Sequence, residues 1–334
     1  MALAGFNLVS DFGDAAAEAR ACRTGCALFD FSFLECVRLE GIGARNVIES
    51  FVGRSLSALG EKQIAYALRI GSPERGLVAD LTIWRTGQAS FEVMSGRRED
   101  VLDLLAYDGP RVKVTDLSER RAIFAVQGPR TLEALRTLGG AGSVESLEYF
   151  TFCRSRLVEI DCIVGRLGYT GEAGVEIIVD RASAPTLWKA LSGHARPAGF
   201  AAIDMLRIEA GLVLFTNEFR MPVWPHEVGL QKFCNIERAL IPEISLVSFR
   251  AEADGLAWPW QPPQHLARPA TSGKITVTSA CDSVVAGGIL GLGYVMAGEV
   301  PATIHDSTGT FQNIRLTARP FYDTAKRRPR ASWR

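Results

Sequence analysis

The sequence lacks any surplus of charge. Lysine plus arginine and aspartate plus glutamate stand at 37 each in 334 residues. The chain as a whole therefore offers no basic face to nucleic acid or to an anionic membrane, and a local patch is the most it can present. It lacks clustered histidine: His194, His226, His265 and His305 are scattered, with no metal-ligand spacing. It lacks an apolar run that approaches a membrane span. It has no secretory signal, and its N-terminus carries Asp11 and Asp14 in place of an Arg-rich amphipathic presequence. Its seven cysteines are odd in number and irregularly spaced, which points to reduced thiols in a cytoplasm. Cys22 and Cys26 sit four apart, a spacing for one helix face. A metal pair there needs a second pair or a nearby histidine, and buried small side chains are the reading favoured.

What is present is an ordinary globular balance, 47% hydrophobic and 22% charged, over a length that suits two or three domains. Asp14 caps a helix over residues 14–26, ended by Gly25. Residues 29–39 read as extended, and 43–51 as a short helix. Tyr66–Ile70 and Leu77–Trp84 read as strands joined by a Gly/Pro turn. Phe91–Met94 is a further strand, and Arg97–Tyr107 a helix with Val101, Leu104 and Leu105 as its apolar stripe. Ile123–Val126 is a strand, 130–138 a helix, 147–164 mostly strand, and 184–191 and 203–210 helices. Prolines and tryptophans gather near Trp258 and Trp260, which places a boundary to a β-rich unit of roughly 245–325. Lys326-Arg-Arg-Pro-Arg330 is a basic tail, read as a solvated terminus.

The most informative stretch runs from Arg166 to Val179. Gly168, Gly171 and Gly174 fall three apart, and glycine permits positive φ or close backbone approach to a ligand. Val175, Ile177 and Val179 then alternate as in a strand. That puts the Glu176 carboxylate on an apolar strand, either at an exposed hairpin edge or in a site. Asp80 is the sharpest single candidate, alone among Val78, Leu81, Ile83 and Trp84. A buried carboxylate is paired, protonated or functional, and apolar surroundings raise its pKa towards that of a general base. A solvent-facing or Arg-paired Asp80 is the alternative.

Gly168-Tyr-Thr-Gly-Glu-Ala-Gly-Val-Glu176 resembles the signature of the glycine cleavage T-protein (aminomethyltransferase) family. Leu28-Phe-Asp-Phe-Ser32, Gln127-Gly-Pro129, Asp204-Met-Leu-Arg-Ile-Glu-Ala-Gly211, Leu292-Gly-Tyr-Val295 and Arg319-Pro-Phe-Tyr-Asp323 resemble further landmarks of that family, in family order and over nearly the whole chain. The resemblance implies an α+β fold: a ring formed by a folate-binding core, a ferredoxin-like part at roughly 40–120, and a C-terminal β-barrel. The corresponding division is 1–244 and 245–334. It implies tetrahydrofolate as cofactor and one-carbon transfer as chemistry. Asp80 matches the catalytic aspartate, which orients folate and assists its N5 amine, although Ala79 replaces the aspartate that precedes it in the family. Tyr66, Tyr169 and Glu176 match folate contacts, with Glu176 suited to the amino-pyrimidinone edge of a pterin. Trp84 stands where a tyrosine is usual, so the aromatic wall is kept and the hydroxyl lost. Ser95 stands for an asparagine, and Ile203 for an arginine that helps to bind folate.

Those departures make the site less polar than the family pattern. The favoured expectation is a demethylase or methyltransferase that moves a methyl group from a small methylated donor to tetrahydrofolate. Aminomethyl transfer from a lipoyl carrier protein is the enzyme alternative. A non-catalytic folate-binding protein of the iron–sulphur-maintenance type is the rival from another class. Gln231-Lys-Phe-Cys-Asn235 lacks that branch's motif. His226 reads as a surface histidine, with a substrate-side acid or base as the lesser reading.

Overall fold

The computed structural model describes residues 2–3, 6–235, 241–298 and 303–333. It is an α+β protein with three large sheets. The first has six strands. In spatial order they are Phe152–Leu157, Ile160–Gly165, Gly174–Asp180, Arg121–Gln127, Ala27–Asp30 and Arg196–Ala198. Only the last pairing is parallel, Arg196–Ala198 against Ala27–Phe29. Period-two alternation sends Val175, Ile177 and Val179 to one face, against Leu135, Leu187 and Leu191. Ile178 faces the opposite core, with Leu167, Phe200 and Ile203.

The second sheet contains a split βαβ arrangement. Glu35–Glu40, the helix Ala44–Val52, Leu77–Gly87, Ser90–Ser95, the helix Arg98–Leu105 and Lys113–Asp116 follow in order. The strand Ile64–Ile70 is added at the edge, hydrogen-bonded to Leu77–Gly87. Ile48, Phe51, Leu81, Ile83, Val101 and Leu104 fill the core between its helices and the sheet. The third sheet is C-terminal, with Ile244–Glu252, Lys274–Ser283 and Gly288–Met296 as its long antiparallel strands. It curls until its edge strands His305–Asp306 and Gln312–Thr317 are neighbours.

The helix Ala15–Thr24 starts at Asp14, whose carboxylate accepts from Ala17 N–H at 2.9 Å. Cys22 is fully buried on that helix, whereas Cys26 lies past its end, so the two do not share a helical face. The helix Phe200–Glu209 is buried at every position but Ala201, packed between the first helix and the C-terminal sheet. Its Arg207 is fully buried and pairs with Asp204 at 2.8 Å and with Glu218 at 2.9 Å. Ser279 in the C-terminal sheet accepts from the same guanidinium at 2.6 Å. The neighbouring Glu209 binds Arg23 at 2.6 Å and accepts from Ser283 at 2.6 Å. Two satisfied ionic nodes thus tie this helix to the strand Lys274–Ser283. The basic residues after Asp323 are not a free terminus: Arg328 reaches Glu172 at 3.4 Å, and the Arg166 guanidinium lies 4.6 Å over the Trp333 ring. Among the described residues no helix is long and apolar enough to cross a membrane.

Candidate active site

A cavity of about 730 Å3 opens between the first two sheets, and five of the seven site residues named from the sequence line it. The strand Leu77–Gly87 supplies Asp80 and Thr82. The edge strand supplies Tyr66, paired with Thr82 and therefore the diagonal neighbour of Asp80 on the same face. The Tyr66 hydroxyl donates to Asp80 Oδ2 at 3.1 Å. Burial pushes the Asp80 carboxyl up to about 6, and the Tyr66 hydrogen bond opposes that rise.

Glu176 enters from the middle of the six-stranded sheet, not from an exposed edge. It lies opposite Ala125 on one side and Gly165 on the other. It is only 8% exposed. No side-chain hydrogen bond or ion pair satisfies it among the described residues, whose other buried carboxylates mostly have partners. Burial alone raises its carboxyl to about 7. Tyr169 lines the same cavity and donates its hydroxyl to Val213 C=O.

The glycine spacing has a cause inside the protein. Gln127 Nε2 donates to Leu167 C=O and Val175 C=O, both at 3.1 Å, and its Oε1 accepts from Thr170 Oγ1 at 3.0 Å. A Cβ at Gly168 would meet Gln127 Oε1 at 1.9 Å, and one at Gly174 would meet Gln127 Cδ at 2.4 Å. Gly171 has φ +78° and packs on Ala210. The loop therefore wraps the Gln127 amide, and this wrap sets Tyr169 and Glu176 at the cavity wall.

Ile203 lines the cavity from the buried helix, beside Phe200. Trp84 and Ser95 do not line it. Trp84 is 1% exposed and packs on Phe152, ring centroids 5.3 Å apart, with its indole N–H on Thr82 Oγ1 at 3.0 Å. It lies over Gly165, where a Cβ would meet the indole at 2.1 Å. Trp84 thus joins the first two sheets and forms no wall of the cavity. Ser95 donates to Asp100 Oδ2 at 2.6 Å and accepts from Arg97 N–H, so it fixes the start of a helix. His226 is half-buried and lies outside the cavity lining. Sequence reasoning passed over Arg319, which lines the cavity and donates only to backbone, to Leu246 C=O at 3.0 Å and Val228 C=O at 2.7 Å. Its signal was its place in the Arg319–Asp323 motif. It also passed over Phe233, which packs edge-on against Tyr66, ring centroids 4.8 Å apart.

The family model described as GCVT N-terminal domain matches residues 1–238. The chain belongs to this family. An aminomethyltransferase from Rubrobacter xylanophilus is 31% identical over 312 residues, which cover 87% of this chain and 82% of that protein. One from Streptomyces avermitilis is 27% identical and covers 97% of this chain and 93% of that protein. The crystal structure of the glycine cleavage system aminomethyltransferase T from Bartonella henselae superposes with a TM-score of 0.79 over 97% of this chain and 94% of that chain, at 23% identity. The GCVT assignment agrees with the fold, an α+β protein with three large sheets.

Proposed function

We propose that this chain is a tetrahydrofolate-dependent aminomethyltransferase, which takes its one-carbon unit from a lipoyl carrier protein. The observation that carries the folate half of this reading is the unpartnered carboxylate of Glu176 opening on the cavity. A pterin presents an amino group and a ring N–H side by side, and a carboxylate accepts both, a charge-assisted bidentate contact. The apolar walls from Phe31, Leu34, Phe200 and Ile203 suit the flat ring system. The residues present therefore fit a reduced folate. The names of the curated relatives support the aminomethyl half and outweigh the methyl-donor expectation.

When bound, the folate supplies the nitrogen that takes the one-carbon unit. Tyr66 holds Asp80 at the cavity wall through its hydroxyl. With a carboxyl near 6, Asp80 is mostly ionised at neutral pH and can accept a proton in the cavity. Its negative charge also favours a positive charge that develops beside it. Glu176 orients the ligand from the opposite sheet, and the Gln127-wrapped loop keeps that carboxylate in place.

A second reading is favoured by one observation. Ile203, fully apolar and 1% exposed, lines the cavity where the family resemblance implies an arginine, and such a wall suits a methylated small donor without a carrier. One assay separates the two readings. The protein is mixed with tetrahydrofolate and either aminomethyl-loaded lipoyl carrier with reduced-product readout, or a panel of O-, S- and N-methylated compounds. Methylene-tetrahydrofolate with ammonia release supports the first reading. Methyl-tetrahydrofolate from a small donor, with no turnover of the carrier, overturns it.

A further inference from the structure

Tyr66 stands on the edge of its sheet. The strand Ile64–Ile70 is hydrogen-bonded to a neighbouring strand on one side only, to Leu77–Gly87. On an edge strand the outward backbone groups have no ladder partner, and a side chain has cross-strand neighbours on one flank only. Two side chains close the open flank of Tyr66. Arg54, just past the helix Ala44–Val52, donates to Tyr66 C=O. Phe233 packs edge-on against the Tyr66 ring, with centroids 4.8 Å apart, an arrangement aromatic pairs prefer. The Arg54 guanidinium carbon also lies 5.6 Å from the centre of the Phe233 ring.

Phe233 is itself held from both sides. It ends the single helical turn Gln231–Phe233, and its N–H donates to Leu230 C=O at 2.9 Å. Leu230 N–H donates to Pro225 C=O at 2.7 Å, and Asn235 N–H to Gly53 C=O at 2.9 Å, next to Arg54. Tyr66 is therefore gripped at its carbonyl by Arg54, at its ring by Phe233, and at its hydroxyl by Asp80 at 3.1 Å. All four residues line the cavity. A hydrogen bond weakens steeply as its angle opens, and a phenol hydroxyl moves with its ring. The ring contact thus decides whether the hydroxyl stays on Asp80. Other charges reach Asp80 from other elements: Arg207 on the buried helix favours its ionised form, Glu218 opposes it, and Tyr169 faces it from the glycine-rich loop.

We propose that Phe233 is a positioning residue of the one-carbon transfer: it stands in for the missing neighbour strand, fixes the Tyr66 ring, and so keeps the Tyr66 hydroxyl on Asp80. The inference rests on the reading of Asp80 as the proton acceptor of the cavity, and deepens it. Phe233 acts through Tyr66, so its replacement should matter to Asp80 only while Tyr66 carries its hydroxyl.

The test follows the titration of Asp80 in the ligand-free protein, by carbon-13 NMR of carboxyl-labelled aspartate, with the Asp80→Asn spectrum identifying the signal. Phe233→Leu keeps apolar bulk in the cavity and removes the ring. Its Asp80 midpoint is expected to rise by about one pH unit, the scale of one hydrogen bond to a charged group, and Tyr66→Phe should do the same. In the Tyr66→Phe background, Phe233→Leu should shift the midpoint no further. Phe233→Tyr keeps the ring and should keep the wild-type midpoint. The acid limb of kcat/KM should follow the same order across these variants. An unmoved midpoint in Phe233→Leu overturns the proposal, even where KM changes, because Phe233 is then a plain wall of the cavity. An equal shift with and without the Tyr66 hydroxyl also overturns it. Absence of turnover with either donor overturns the one-carbon reading, and the NMR midpoints still decide for or against the contact that runs from Phe233 through Tyr66 to Asp80.

Discussion

The phenol of Tyr66 donates to Oδ2 of Asp80 at 3.1 Å, across neighbouring strands and on the wall of the cavity. That bond favours the ionised carboxylate, against the burial that pushes Asp80 up to about 6. Tyr66→Phe removes it. The acid limb of kcat/KM should then move to higher pH, with little change on the alkaline plateau. A pH profile of the variant checks this, and an unmoved acid limb would mean that Asp80 does not govern it.

Asp80→Asn keeps the size of the side chain and removes its proton acceptor. Positioned general bases contribute about 10²- to 10⁴-fold, so kcat should fall within that range. Tetrahydrofolate affinity should stay within a few-fold, because Glu176 carries orientation. Rapid-quench single-turnover rates read the first quantity and titration the second.

Glu176 makes the ligand-free protein sensitive to pH. Its folded carboxyl is raised from 4.5 to about 7. A group raised in the folded state contributes its full share below the unfolded value and loses it as pH rises through the folded value. The free protein should thus lose roughly 3 kcal/mol from this group between about pH 4.5 and 8, with Asp80 acting in the same direction. Glu176→Gln should be more stable than wild type at pH 8 and close to it at pH 5. Urea denaturation at both pH values measures the difference.

Arg207 should behave differently from the cavity residues. Its removal leaves Asp204 and Glu218 buried without their cation. Breaking a buried pair of this kind costs about 3–5 kcal/mol. Arg207→Met should therefore lower the denaturation midpoint strongly, whether or not ligand is present.

Much of this was legible in the sequence, for reasons that differ from residue to residue. Asp80 stood out because a lone carboxylate on an apolar strand is costly, and it does line the cavity. The Asp14 cap and the Gly25 stop bounded a helix by local chemistry, which needs no tertiary partner. Trp84 and Ser95 were assigned to the site by their place in a pattern. Yet Trp84 shares its strand face with Asp80 and Thr82, and alternation cannot tell where along that face the cavity ends. Ser95 was taken by the neighbouring helix start. The basic tail was read as solvated because its anchors, Glu172 and Arg166, lie far away in sequence. The glycine triplet pointed to close approach, and the group approached proved to be the Gln127 amide for Gly168 and Gly174 and Ala210 for Gly171.

The central claim is that the cavity between Asp80 and Glu176 is a working folate site. It is tested most directly by calorimetric titration of tetrahydrofolate into wild type, Glu176→Ala and Asp80→Asn. The account predicts binding by wild type, its loss in Glu176→Ala, and its survival in Asp80→Asn. No heat from wild type at high folate, or undiminished binding by Glu176→Ala, would contradict it.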